Sequence, residues 1–68
     1  MKNKIRVARA EKGMTQQQLA DAAGVSRQTI NAIESGKFVP STVLAIKMAQ
    51  IFEKSVEDIF QLEDKDFM

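Results

Sequence analysis

The sequence contains no cysteine and no histidine among its 68 residues. The absence of cysteine excludes disulfides and thiolate metal sites, and the absence of histidine removes the commonest general base and metal ligand. No apolar run approaches the roughly 18–20 residues that span a membrane, and no signal peptide follows the basic N-terminus. No nucleophile–base pair or glycine-rich phosphate loop is recognisable. We therefore expect a cytoplasmic protein that is not an enzyme and has no cofactor, metal, membrane contact or small-molecule effector.

The charges are divided unevenly along the chain, although the net charge is only +1. Residues 1–47 carry eight Lys and Arg against three Asp and Glu, whereas residues 48–68 carry two against six. The first part is therefore +5 and the second −4. A basic front and an acidic back suit a protein that turns one face toward a polyanion. Ordinary scatter of surface charge explains the same distribution equally well.

The three glycines and the single proline fall between periodic segments, where turns belong. We expect one domain over 1–68, all-α and built as a compact five-helix bundle, with a short β-strand near each end, within 1–5 and 60–67. Thr15, Ser26, Ser41 and Ser55 are each placed to cap the start of a helix. The expected helices cover about 2–12, 15–23, 26–34, 42–53 and 55–61. Residues 61–68 form either a tail or a dimer segment.

Residues 16–36 have the layout of a helix-turn-helix, QQQLADAAGVSRQTINAIESG. Two helices that cross steeply need a small residue where their backbones approach, and Ala20 supplies it. The turn needs a residue that tolerates positive φ, and Gly24 follows four positions later. Apolar anchors must face the shared core. The residues placed to do so are Leu19, Val25, Ile30 and Ile33.

The opposite face of the third helix carries Arg27, Gln28, Asn31 and Ala32. A recognition helix reads base edges mainly from its N-terminal half. Arg suits guanine or a phosphate, and Gln and Asn can each pair bidentately with adenine. We expect these four residues to read bases. The competing interpretation is an amphipathic helix with a solvated polar face.

The run M-T-Q-x-x-L-A, the run G-V-S-R-Q-T-I-N-x-I-E-S-G-K, Pro40 and the closing S-V-E-D-I-F together resemble the lambda repressor and Cro type of helix-turn-helix regulators. The resemblance extends from about residue 5 to residue 60. It implies a five-helix fold whose second and third helices form the DNA-binding motif. Ala32 stands where some phage repressors carry a base-reading Gln, so only a methyl contact with thymine is expected there. The residues expected to hold DNA phosphates are Gln16, Gln17, Ser26, Thr29, Lys37 and Arg6.

Arg9 and Glu34 form a second pair of expectations. Glu34 lies on the inner side of the third helix, where an isolated carboxylate is unfavourable. The family pattern pairs an Arg and a Glu at these two positions, which implies a structural ion pair between the first and third helices. Arg9 as a phosphate ligand is the alternative, and both roles are compatible.

The last thirteen residues are unusually apolar for a monomer's surface. We expect Ile59 to cover the core, and a homodimer interface to use Val56, Phe60, Leu62 and Phe67. The alternative is a tail that folds over its own core or is disordered. The expected function is a regulator of transcription that binds double-stranded DNA sequence-specifically, most simply a repressor bound as a homodimer to a palindromic operator. The alternative function is an antitoxin-like or other protein-interaction module.

Overall fold

The computed structural model describes all 68 residues as five helices and one two-stranded sheet. This confirms the predicted all-α class and the short strand expected near each end. No helix is long and apolar enough to cross a membrane. In chain order the elements are β1 (Lys2–Asn3), α1 (Ile5–Lys12), α2 (Gln16–Ala23), α3 (Arg27–Glu34), α4 (Thr42–Phe52), α5 (Val56–Ile59), β2 (Phe60–Gln61) and a 3₁₀ turn (Asp64–Phe67).

Four of the five helices begin at the predicted N-caps. Thr15, Ser26, Ser41 and Ser55 each accept a hydrogen bond from the backbone N–H three residues further on. The side chain of Gln18 also accepts from the Thr15 N–H at 2.9 Å, completing a capping box. Because each cap satisfies an otherwise unpaired helical N–H, these short helices start at defined residues.

The two ends of the chain correct the predicted helix limits. Helix α1 begins at Ile5 rather than at residue 2, because Lys2 and Asn3 pair antiparallel with Gln61 and Phe60, respectively. Helix α5 ends at Ile59 rather than at residue 61 for the same reason. The β1–β2 ladder therefore takes the place of predicted helix at residues 2–3 and 60–61.

The core consists of 13 buried apolar residues, drawn from all five helices and β2. Ile59 is fully buried, as predicted. No polar or charged residue is buried as a whole, and no buried side-chain nitrogen or oxygen lacks a hydrogen-bond partner. The largest fully buried side chains are Ile5, Leu19, Ile30, Ile33, Met48 and Ile59.

The C-terminal tail folds back along the N-terminal segment. After β2, the 3₁₀ turn places two carboxylates against the ammonium group of Met1, which lies 2.9 Å from Glu63 Oε1 and 3.2 Å from Asp66 Oδ2. The hydrogen bond from this ammonium lowers the pKa of Glu63 from its ordinary value. The tail therefore packs on its own chain, as in the alternative to a dimer interface given above. Leu62 and Phe67 remain exposed.

Candidate nucleic-acid interface

Helices α2 and α3 meet at a tight turn that presents α3 on the molecular surface. Gly24 adopts φ +74°, in the left-handed region that a residue with a Cβ enters at a cost. The next residue, Val25, donates its backbone N–H to the carbonyl of Ala20 at 3.0 Å. Ala20 has no exposed surface, as expected of the small residue where the two backbones approach. Leu19 and Ile30, one on each helix, are fully buried and anchor α2 and α3 in the same core.

The outer face of α3 brings three of the predicted base-reading side chains together. Arg27, Gln28 and Asn31 are exposed and line one shallow concavity. The guanidinium of Arg27 and the amide of Gln28 make no hydrogen bond or ion pair within the chain. Their donors and acceptors are therefore free for a ligand. Ala32 is half-buried, one helical turn after Gln28.

Asn31 is oriented by a neighbouring glutamine. The Nε2 of Gln16 donates to Asn31 Oδ1 at 3.3 Å and to Glu34 Oε2 at 3.4 Å. With its oxygen facing Gln16, Asn31 keeps both N–H groups free, and its carbonyl oxygen keeps a second lone pair. This arrangement preserves the donor and acceptor that a bidentate contact with adenine requires. Both N–H groups of Gln16 are thus engaged. A hydrogen bond from Gln16 to a DNA phosphate, as predicted, would therefore have to replace one of these two bonds.

The structure contains the Arg9–Glu34 pair that the family pattern implies. Arg9 Nε lies 2.9 Å from Glu34 Oε2, and Arg9 Nη2 lies 3.0 Å from Glu34 Oε1, which is a bidentate geometry. The remaining guanidinium nitrogen donates to the carbonyl of Met14 at 3.0 Å. The Glu34 side chain is only 3% exposed and that of Arg9 is 15% exposed. The pair therefore ties α1 to α3 and to the start of α2.

A second concavity lies at the N-terminus of α2, beside the base-reading face. Its lining combines the first turn of α2 with Arg9, whose guanidinium is already paired with Glu34, and with Arg27, whose guanidinium has no partner within the chain. Gln17 also lines it, although its amide donates to Asp21 at 2.9 Å. Helix N-termini attract anions because their first N–H groups are unpaired. This concavity has the charge and the donors that a DNA phosphate needs.

The other predicted phosphate ligands are less closely grouped. Ser26 and Thr29 have their hydroxyl oxygens 3.0 Å apart at the start of α3, where Ser26 caps the Thr29 N–H. Lys37 lies after the end of α3, exposed and without an acidic partner. Arg6 lies on α1 with its side chain 84% exposed, and its Nε is 3.8 Å from Oε1 of Glu34 on α3.

The pattern of ion pairs leaves uncompensated positive charge near the two ends of α3. Five of the ten basic side chains contact a carboxylate within 4.0 Å. The five without an acidic partner are Lys2, Lys4, Arg27, Lys37 and Lys47. Two of these, Arg27 and Lys37, lie at the start of α3 and shortly after its end.

The predicted dimer residues divide between the core and the surface. Phe60 is only 7% exposed because its side chain belongs to the core of this chain, so its assignment to a dimer interface is corrected. Val56 is half-buried against the same core. Leu62 and Phe67 remain 62% and 76% exposed. These two are the members of the predicted set that have surface to offer a partner.

Sequence reasoning missed two features of the site. Asn3 donates its side-chain N–H to the carbonyl of Ile33 at 2.9 Å, so β1 supplies a hydrogen bond to one carbonyl near the C-terminal end of α3. An isolated Asn near the N-terminus gives no signal for this contact. Phe38 is 53% exposed in the loop after α3, where an apolar residue beside Gly36 and Pro40 could have been noticed.

The fold and this surface define a class of protein: a helix-turn-helix module whose second motif helix is exposed and polar. A family model described as "Helix-turn-helix" matches residues 5–59. The chain belongs to this family, of the lambda repressor and Cro type, and is a transcriptional regulator rather than an enzyme.

Curated relatives match the chain over nearly its full length. An uncharacterized HTH-type transcriptional regulator of Methanocaldococcus jannaschii is 53% identical over 66 residues, covering 97% of this chain and all of the relative. The uncharacterized HTH-type transcriptional regulator YgzD of Bacillus subtilis is 46% identical over the same length and coverage.

Solved structures show the same fold. The restriction-modification controller protein C.AhdI of Aeromonas hydrophila superposes with a TM-score of 0.75 at 28% identity, covering 82% of this chain and 85% of that one. The clp gene regulator ClgR of Corynebacterium glutamicum gives 0.74 at 33% identity and covers 79% of this chain. This chain spans 57% of the ClgR chain.

Proposed function

We propose that this protein binds double-stranded DNA sequence-specifically by placing α3 in the major groove. The observation that carries the proposal is the outer face of α3, where Arg27 and Gln28 have no partner within the chain and Asn31 is oriented by Gln16. An α-helix with its side chains is about 10–12 Å across, which matches the roughly 12 Å width of the groove. Arg27 would contact guanine or a phosphate, and Gln28 and Asn31 would each contact adenine.

Phosphate contacts on both sides of α3 would fix its register on the duplex. On one side, the concavity at the N-terminus of α2 offers unpaired backbone N–H groups beside Arg27. On the other side, Lys37 follows the end of the recognition helix. Such contacts carry no sequence information, but they position the side chains that do.

We further propose that the protein acts as a homodimer on a palindromic operator, and most simply as a repressor in the cytoplasm, where the chromosome lies. One α3 offers three polar readers, and a second copy would double the number of bases read. Two-fold symmetry places half-sites about one helical turn apart. The exposed apolar side chains of Leu62 and Phe67 on the tail are our proposed interface.

Selection of bound sites from random duplex DNA tests the binding proposal. The expected product is a palindromic consensus whose half-sites are about 10 base pairs apart. The logarithm of the association constant for the consensus should fall linearly with the logarithm of salt concentration, because phosphate contacts release counterions. A protein-interaction module on this fold would yield no consensus and no such dependence.

Two matched substitutions test the dimer interface. Leu62→Glu should convert the dimer to a monomer in sedimentation equilibrium and weaken operator binding, because a carboxylate would be buried at the interface. Val43→Glu is the control, since Val43 on α4 is 65% exposed and Leu62 is 62% exposed. If Val43→Glu separates the protomers and Leu62→Glu does not, the interface lies on α4 and our assignment is wrong.

A further inference from the structure

Phe38 is held against the recognition helix although it lies in the following loop. Its backbone N–H donates to the carbonyl of Ala32 at 3.2 Å, and the N–H of Lys37 donates to the same carbonyl at 2.9 Å. These two bonds close the last turn of α3 and fix where the loop leaves it. The backbone of Phe38, which carries the exposed ring, is therefore anchored to the helix at Ala32.

The ring of Phe38 lines a concavity on the reading side of the helix. Gln28, Thr29, Ala32 and Lys37 form the rest of its lining. Gln28 is one of the unpartnered readers, and Ala32 lies one helical turn after it. Phe38 and Ala32 supply the two apolar walls, and Lys37 supplies a cation at the rim. An apolar wall thus continues the reading surface beyond Gln28.

The major groove has one apolar group that such a wall can recognise, the C5-methyl of thymine. Alanine and phenylalanine are among the side chains that contact it in recognition surfaces. Ala32 leaves the space open because it has no long side chain. If Lys37 holds a phosphate at the rim, the backbone of the nucleotide is fixed beside the same wall.

We propose that Phe38 and Ala32 form a pocket for a thymine methyl, next to the base that Gln28 reads. The proposal rests on the proposed binding of α3 in the major groove. It makes Phe38 a specificity-determining residue, outside the helix-turn-helix itself. The ring would discriminate thymine from cytosine by a methyl contact rather than by a hydrogen bond.

Replacement of thymine by deoxyuridine tests this directly, because the two bases differ only by the methyl group. Each thymine of one selected half-site is replaced in turn, and affinity is measured by fluorescence anisotropy. At one position the unaltered protein should bind the uracil duplex about 3–5-fold more weakly, the effect of losing one buried methyl. Phe38→Ala should bind both duplexes equally, and more weakly than the unaltered protein binds the thymine duplex.

Val39→Ala is the matched control, since Val39 is the next residue, is 60% exposed and does not line the concavity. It should retain both the affinity and the discrimination of the unaltered protein. Equal binding of thymine and uracil at every position overturns this proposal alone, as does discrimination that survives Phe38→Ala. If the Phe38→Ala dimer dissociates in sedimentation equilibrium and its affinity falls equally for both duplexes, Phe38 acts in dimer assembly. That result also overturns the proposal. Failure to select any DNA site overturns the proposed function and this proposal together.

Discussion

Breaking the Arg9–Glu34 pair should strongly destabilise this small domain, and removing Arg9 should cost more than removing Glu34. Folded domains are stable by about 0.05–0.15 kcal/mol per residue, or roughly 3–10 kcal/mol for a chain of this length. Arg9→Met would leave the Glu34 carboxylate, 3% exposed, with only a 3.4 Å bond from Gln16 and the Arg6 guanidinium at 3.8 Å. Removing one partner of a buried pair costs about 3–5 kcal/mol. The loss should therefore remove between about a third and all of the stability of this domain.

Glu34→Met should cost less, about 1–3 kcal/mol. The Arg9 side chain is 15% exposed, retains its bond to the Met14 carbonyl and can extend its head group toward water. The double variant Arg9→Met/Glu34→Met should be more stable than Arg9→Met alone, because no uncompensated charge remains. Replacing both members of a buried pair by apolar side chains is often neutral or stabilising.

Urea unfolding followed by far-ultraviolet circular dichroism measures these differences, since the chain has no Trp or Tyr for intrinsic fluorescence. Arg6→Met is the control, because Arg6 faces the same carboxylate from an 84% exposed position. Its free energy of unfolding should change by less than about 1 kcal/mol. An Arg9→Met variant that loses no more stability than Arg6→Met would refute the buried pair. So would a double variant whose loss equals the sum of the single losses.

Three further substitutions probe the reading face, the phosphate contacts and a strained helix end. Gln28→Ala should weaken binding to the selected site by about 1–3 kcal/mol, whereas Gln50→Ala, an exposed glutamine on α4, should not change it. Lys37→Ala should weaken binding to all sequences and lower the salt slope by about 0.9 per protomer, an effect that Lys47→Ala should lack. Glu53 ends α4 at φ +57°, so Glu53→Gly should melt about 4–8 °C above Glu53→Ala, which retains the left-handed Cβ. Equal melting temperatures would show that no strain is stored there.

The helix-turn-helix could be predicted from the sequence because its determinants are local. Thr15 and Ser26 mark the starts of α2 and α3, and Gly24 marks the turn between them, all within a few residues of what they control. The spacing of Leu19 and Ile30 then places the apolar faces. Each of these rules acts through hydrogen bonds or periodicity along one segment.

The two ends of the chain could not be placed in this way. Lys2 pairs with Gln61 and Asn3 with Phe60, partners separated by most of the chain, and a two-residue strand leaves no alternating pattern to detect. Phe60 was predicted to be exposed because local spacing does not show that this residue of β2 packs in the core. The exposure of Phe38 also could not be predicted, because it depends on the path that the loop takes after α3.

One carboxylate, that of Glu34, connects the ion pair between α1 and α3 to the proposed reading face. Glu34 accepts from Arg9, which ties α1 to α3, and from Gln16, whose other N–H orients Asn31 on the reading face. The carboxylate that holds the helices together therefore also holds the side chain that aims a base reader. Since Gln16 lies at the N-terminus of α2, beside the concavity for a phosphate, a phosphate that drew Gln16 away would release Asn31 as it binds. If α3 reads bases as proposed, docking on the DNA backbone and readout of the adjacent base would be coupled through the amide of Gln16.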